Sequence, residues 1–179
     1  DDDRASAVGA VVEGSGTVVM SAFLMQEMQA GRLEPTALAE MQKTEAGQGA
    51  KLAAALPFLR RSLLSSYALG FPFLLRGDLT KLTAVNPADI NRAFEKPPTS
   101  SEQILHPEKL FATPREGAVQ IVAPDLSAAL GEGWSRRYEE GLGELSIRTL
   151  LSDQLPSDAY DHALAAAAGW GGDRYAVWK

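Results

Sequence analysis

The sequence predicts an α+β fold that is predominantly α-helical, with a small β element in the C-terminal third. Apolar residues recur at three-to-four spacing in the first 110 residues, as on the packed face of a helix. Two later stretches, Gly117–Val122 and Arg174–Trp178, are rich in the residue types that strands favour. A chain of 179 residues can form one domain with a sizeable core. We therefore expect a single domain, helical over residues 1–110 and mixed over 111–179.

Two helices are predicted at the N-terminus. Asp1–Ala30 forms the first, because its leading aspartates suit the positive end of a helix dipole and Gly31 can end it. Pro35 at a first helical position opens a second, shorter helix that ends near Ala46. A flexible Gly-Gln-Gly break follows at residues 47–49.

The third helical region is Leu52–Arg76. Leucines at three-to-four spacing give it one core-facing side, while Pro57 and Pro72 should kink or divide it. From caps, prolines and apolar spacing we predict the later elements in order: a short helix within Leu79–Phe94, a single turn capped by Ser100 or Ser101, a strand at Gly117–Val122, helices at Tyr138–Leu151 and Ala159–Ala168, and a strand at Arg174–Trp178.

Composition excludes several classes of function. The chain has no cysteine, so it cannot form a disulfide, a cysteine zinc site or a thiol nucleophile. Its net charge is −6 and its basic residues are dispersed, which argues against binding nucleic acid. The charged start at Asp1 is unlike a signal peptide and suggests a processed N-terminus. Arginines and prolines interrupt the apolar run Leu52–Leu75, so no transmembrane segment is expected there.

Glu13 lies among glycines in the apolar interior of the first predicted helix. Each helical glycine costs about 1 kcal/mol relative to alanine. Close approach of another backbone at Gly9, Gly14 and Gly16 would offset that cost. A carboxylate on an apolar face needs a cation, a metal or a hydrogen-bond donor. Glu13 is therefore either a metal ligand or a partly buried residue paired with Arg4 or another base.

His106 stands between a predicted helical turn and Pro107, which would aim its ring rigidly. It could donate a hydrogen bond to an oxyanion, line a substrate cleft, or simply fix its loop through a carbonyl oxygen. Glu102 and Glu108 flank it and could hold its tautomer, although such residues are more often caps or solvated charges.

Glu144 and Arg148 are spaced i, i+4 on a predicted helix. The default interpretation is a surface ion pair worth a few tenths of a kcal/mol. A role for both residues in a substrate cleft remains the alternative.

Several of these segments together resemble a group of secreted bacterial zinc metallopeptidases of the gluzincin type. The N-terminal string DDDRASAVGAVVEGSGTVVM is similar to a helix that follows the HExxH helix in that group. The string PPTSSEQILHPEKL at residues 97–110 is the most specific match, and the similarity extends to GLGEL at residues 141–145 and GWGGDRY at residues 169–175.

The resemblance implies that Glu13 is the third zinc ligand and that Thr17 belongs to the same motif. It also implies an upstream HExxH helix just before Asp1, whose two histidines bind zinc and whose glutamate activates water. His106 would line the cleft or steady the oxyanion, with Glu102, Glu108, Glu144 and Arg148 as cleft or supporting residues. The substrate would be a peptide or protein, and the location secreted or periplasmic.

With one ligand of three, this chain alone is not expected to hold zinc or to be active. The alternative is a non-catalytic helical scaffold or binding module, a degenerate relative of such enzymes. In that case the apolar region around Tyr67, Phe71 and Phe73 would form a groove for a partner or a lipid. The sequence does not specify the oligomeric state.

Overall fold

The computed structural model describes residues 2–34, 36, 40, 52–76, 78–84, 87–153 and 160–179. It confirms the predicted fold class, because these residues form eight α-helices and one two-stranded antiparallel sheet near the C-terminus. The elements, in chain order, are α1 (Asp2–Gln29), α2 (Pro57–Leu74), a 3-10 helix (Leu79–Ala84), α3 (Pro87–Glu95), α4 (Glu102–Leu105), α5 (Pro107–Phe111), α6 (Ser127–Leu130), β1 (Arg136–Glu140), α7 (Gly143–Asp153), α8 (Tyr160–Ala167) and β2 (Tyr175–Trp178).

The chain forms two compact units. One consists of Asp1–Val8 together with Pro98–Lys179, and the other of Gly9–Pro97. We call them the terminal unit and the central unit. The prediction of one domain stays a prediction.

In the central unit, α1 and α2 meet at glycines. A Cβ atom added to Gly14 would lie closer than 3.0 Å to three backbone atoms of Gly70. One added to Gly70 would be equally close to backbone atoms of Ala10 and Gly14. The close approach expected at Gly14 is therefore present, and Gly9 lies near it, against the Ser66 hydroxyl. At Gly16 the described residues make no close approach, because an added Cβ there meets nothing within 4 Å among them.

Helix α1 is long and apolar enough, by length and composition alone, to cross a membrane. Its 28 residues include a window with a mean hydropathy of 1.6, of which 22% is buried. Core helices of soluble proteins and signal sequences share both properties, so this feature assigns no location. The helix ends at Gln29, and Gly31 follows with φ at 67°, as the predicted C-terminal stop requires.

Prolines lie in the first and the last turn of α2. Pro57 occupies its first turn, where a missing N–H costs nothing. Pro72 does not divide the helix but lies in its last turn, and the helix ends two residues later at Leu74. The second predicted helix, Pro35–Ala46, lies largely outside the described residues.

The sheet of the terminal unit pairs β1 with β2. Arg136 opposes Trp178 and Glu140 opposes Tyr175. The Arg136 guanidinium lies 5.1 Å from the centre of the Trp178 ring, which adds a cation–π contact. The prediction that a helix begins at Tyr138 is wrong, because residues 138–140 pair with β2 and the helix starts only at Gly143.

The strand predicted at Gly117–Val122 is also absent from the sheet. This segment has no regular secondary structure, and its described link to the C-terminal loop is one backbone bond from Val119 N–H to the Gly171 carbonyl, at 2.7 Å. Val119 and Val122 are 66% and 84% exposed. Without a partner strand, β-branched residues alone do not produce a strand.

Candidate functional site

The ring of His106 is held by a buried carboxylate of the terminal unit. His106 ends α4 and precedes Pro107, and its backbone N–H donates to the Glu102 carbonyl at 2.8 Å. Its Nε2 atom lies 3.0 Å and 3.1 Å from the two oxygens of Glu144. The Glu144 side chain is 2% exposed, whereas the His106 side chain is 28% exposed. The two residues form a histidine–carboxylate dyad with one edge open to solvent.

The dyad fixes the chemistry of the imidazole. An ionised carboxylate only accepts hydrogen bonds, so Nε2 carries the proton that bonds to Glu144. The neutral ring then presents a lone pair at Nδ1, which lies 3.8 Å from Oε1 of the exposed Glu108. In this state Nδ1 can accept a proton. Nδ1 can donate a hydrogen bond to an oxyanion only when both ring nitrogens carry a proton.

Glu102 contacts a different partner from the one expected. Its buried carboxylate accepts from the Lys109 ammonium at 2.5 Å. This hydrogen bond raises the pKa of Lys109 above its ordinary value. Glu102 therefore binds Lys109, and the residue that contacts the His106 ring is Glu144, 38 residues further along the chain.

Glu144 lies in the first turn of α7, with Arg148 one turn later on the same helix. The carboxylate binds His106 and not Arg148, so the predicted i, i+4 pair is not the contact that Glu144 makes. Arg148 is partly buried on α7. Among the residues that the structure describes, it is not brought to the dyad by any hydrogen bond or ion pair.

Glu13 lies on α1 in the central unit, where its carboxylate is half-buried. Hydrogen bonding with Glu13, followed by the charge of its carboxylate, raises the pKa of the Tyr67 hydroxyl on α2. Thr17 donates to the Glu13 carbonyl at 2.8 Å, a bond within the helix backbone that leaves the carboxylate untouched. The sequence did not predict Tyr67 as the partner of Glu13.

Polar residues that were not among the predicted site residues hold the dyad in place. Asp173 accepts from the backbone N–H groups of Leu142 and Gly143, at 2.8 Å and 3.1 Å, and from the Trp170 indole at 3.0 Å. These bonds fix the turn that leads into α7. The two backbone donors lie about 30 residues from Asp173 in the sequence, so no local pattern predicts these bonds.

Asp3 and Gln103 fix the entry to α4. Both oxygens of Asp3 accept from the Ser101 backbone N–H, at 3.1 Å and 3.2 Å, while the Ser101 hydroxyl accepts from Leu145 N–H. The Ser101 side chain therefore bonds to the first turn of α7 and does not cap α4. The fully buried Gln103 accepts from Thr99 N–H and from Arg115. No local sequence signal identifies these long-range contacts.

The buried Asp3 carboxylate predicts a pH effect on stability. Burial raises the pKa of Asp3 above its ordinary 3.8, and the nearby charges of Asp173 and Glu102 add to this. A raised pKa in the folded state favours folding below the ordinary value, and that contribution is lost as the pH rises through the folded value. The free energy of unfolding of Asp3→Asn, relative to wild type, should therefore increase as the pH rises from about 3 to 6.

Urea denaturation of both proteins across this range measures the effect. Asp125→Asn is the control, because a bond from Ser127 N–H lowers the pKa of Asp125. Its relative stability should change with pH in the opposite direction. If the free energies of unfolding of Asp3→Asn and wild type changed in parallel with pH, the prediction would be contradicted.

Within the described residues, no group of three or more His, Asp or Glu side chains is arranged to hold a metal ion. Glu13 supplies one carboxylate, which is too few for zinc, since a catalytic zinc needs three protein ligands. No protein-family model, curated protein or solved structure matches the chain. The zinc, peptidase, substrate and location predictions therefore stay predictions.

Proposed function

We propose that this chain is part of a zinc-dependent peptidase, to which it contributes Glu13 as one of three protein ligands. The two histidine ligands come from an HExxH helix outside residues 1–179. The observation that carries the proposal is the exposed side of α1 next to Glu13. There, Val12, Gly16 and Val19 follow one another at spacings of four and three residues.

Such spacing marks a stripe on which a second helix can pack. Val12 and Val19 are 49% and 60% exposed, so the stripe has apolar surface left to bury. Among the described residues, none lies where a Cβ on Gly16 would touch it, so another backbone could come close at that point. A helix docked there would bring its own side chains beside Glu13. Gly16, which does not contact α2, would then lie at the contact with the docked helix.

The Tyr67 hydrogen bond supports the same role for Glu13. Carboxylates that bind metals are usually held by a hydrogen bond from a neighbouring residue, which fixes their orientation. Tyr67 provides such a donor from α2. Once zinc is bound, it would supply an activated water and polarise a peptide carbonyl. The part of this chain is to hold and orient one ligand.

The role proposed for His106 rests on its own geometry. Since Nε2 is committed to Glu144, the reactive edge of the ring is Nδ1. A peptide substrate would meet this edge, where the neutral ring accepts a proton and the protonated ring stabilises an oxyanion. Glu144 acts as the residue that positions the ring.

The zinc proposal is tested on the protein from its native source. Peptide mapping and intact mass should find residues before Asp1 that include His-Glu-x-x-His. That protein should bind one zinc ion, and Glu13→Gln should weaken zinc binding by at least about a hundredfold while circular dichroism stays unchanged. The control, Glu27→Gln on the same helix, removes only the ion pair with Arg32 and should keep zinc. A native protein without the two histidines, or equal zinc affinity in Glu13→Gln, would overturn the proposal.

A further inference from the structure

The first half of α2 exposes leucines to an unusual degree. Leu56, Leu59, Leu63 and Leu64 are 70%, 51%, 63% and 44% exposed. Single exposed apolar residues are ordinary, but a contiguous patch marks a surface that binds something. The groove expected around Tyr67, Phe71 and Phe73 is not this surface, because Phe73 is 1% exposed and belongs to the core.

The leucines lie on one side of the helix. Leu59 and Leu63 are spaced by four residues, so they project from consecutive turns in similar directions. Leu56 is the residue that precedes the helix. Arg60 lies between them on the same side. Together with Leu64, these residues form what we call the leucine–arginine face. Ser65 and Gly70, which are buried, belong to the later turns of the helix.

The charge around this face is positive, although the chain as a whole is acidic. Residues 52–76 contain no aspartate or glutamate but include Arg60, Arg61 and Arg76, in a chain of net charge −6. Arg76 pairs with Asp89, so it is already neutralised. Arg60 donates to the Ala53 carbonyl at 3.2 Å, which orients the guanidinium but leaves its charge in place.

We propose that the leucine–arginine face binds the surface of an anionic lipid bilayer, with α2 lying in the plane of the interface. Apolar side chains mixed with arginine, and no acidic residue, suit the boundary between headgroup phosphates and acyl chains. Arginine can extend its charged end toward phosphate while its stem stays among the leucines. A second copy of the chain fits less well, because a two-fold interface would bring the same arginines together. This surface is separate from the stripe beside Glu13 and does not depend on zinc.

The test is co-sedimentation of the full chain with vesicles. Vesicles of equal parts phosphatidylglycerol and phosphatidylcholine should bind the protein, and pure phosphatidylcholine vesicles should bind it more weakly. Leu59→Ser/Leu63→Ser should weaken binding by more than about tenfold, since each leucine loses its apolar transfer energy. Arg60→Gln should weaken binding to the anionic vesicles by about fivefold, and high salt should have a similar effect.

Two controls separate this face from the rest of the chain. Val119→Ser/Val122→Ser changes exposed apolar residues of the terminal unit, and Phe23→Ser/Met28→Ser changes exposed apolar residues of α1. Both should bind vesicles as wild type does, and circular dichroism should show all variants folded. No binding to either vesicle, or loss of binding only in the α1 variant, would overturn the proposal. So would a concentration-dependent dimer that Leu59→Ser/Leu63→Ser abolishes, because the face would then join two copies.

Discussion

Gly14→Ala should destabilise the central unit by about 3 kcal/mol, near the upper end of what overpacking a core costs. The added methyl group would lie closer than 3.0 Å to three backbone atoms of Gly70. Backbone atoms cannot rotate out of the way as a flexible side chain can, so α1 and α2 must move apart. The gain in helix propensity, about 1 kcal/mol, is too small to offset this strain. Urea denaturation, monitored by circular dichroism, measures the change.

Gly16→Ala is the matched control, since it makes the same substitution half a turn later on the same helix. An added Cβ at Gly16 has nothing within 4 Å, so only the propensity gain remains. The variant should be more stable than wild type by up to about 1 kcal/mol. A loss of stability in Gly14→Ala together with a gain in Gly16→Ala would establish that the two helices cross at Gly14. Equal effects would show that α1 and α2 do not meet at Gly14.

Gly70→Ala should resemble Gly14→Ala, because its methyl group would approach the Ala10 carbonyl and Gly14. Once one substitution has separated the helices, the second has less left to disrupt. The double variant should therefore lose less stability than the sum of the two single variants. An additive result would place the two glycines in independent contacts.

The glycines also show how far the sequence can predict this unit. Three glycines and a glutamate in one apolar helix correctly indicated a close backbone approach. They did not indicate which side of α1 would receive α2, because that choice depends on where Gly70 lies after folding. Gly14 faces α2, and Gly16 lies on the side that remains exposed. Spacing within one helix cannot distinguish the two without the position of the second helix.

The same limit applies to the dyad. His106 was a candidate because of its local setting beside Pro107, and Glu144 because of its spacing from Arg148. Neither pattern pairs His106 with Glu144, since their contact joins residues 38 positions apart. Local spacing offered Glu102 as one possible neighbour of His106, but Pro107 starts a new helix that brings Lys109 to Glu102.

The β element was predicted in the right part of the chain and only partly in the right residues. Tyr175–Trp178 pairs as expected, whereas its partner is Arg136–Glu140 and not residues 117–122. Alternating β-branched residues describe a segment that can pair, and pairing also requires a free strand edge beside it. The charged strand β1 pairs with the edge of β2. Glu139 of β1 also binds Arg174 at 3.1 Å.

Removal of the Glu144 carboxylate should destabilise the terminal unit strongly. Glu144→Ala leaves the Nε2 donor of His106 without an acceptor and opens a cavity at a side chain that is 2% exposed. Loss of one member of a buried hydrogen-bonded pair costs about 2–4 kcal/mol. Glu144→Gln should cost less, because its amide oxygen fills the same space and still accepts from Nε2. Chemical denaturation of both variants gives the two values.

Glu108→Gln is the matched control, because it also removes a carboxylate near the same ring. Glu108 lies 3.8 Å from Nδ1 and its side chain is 73% exposed, so water screens the interaction. Its effect should stay within about 0.5 kcal/mol. If Glu144→Ala were as mild as Glu108→Gln, the buried hydrogen bond would not hold the ring. Nδ1 would then lose its fixed orientation, and with it the role proposed for His106 at a substrate.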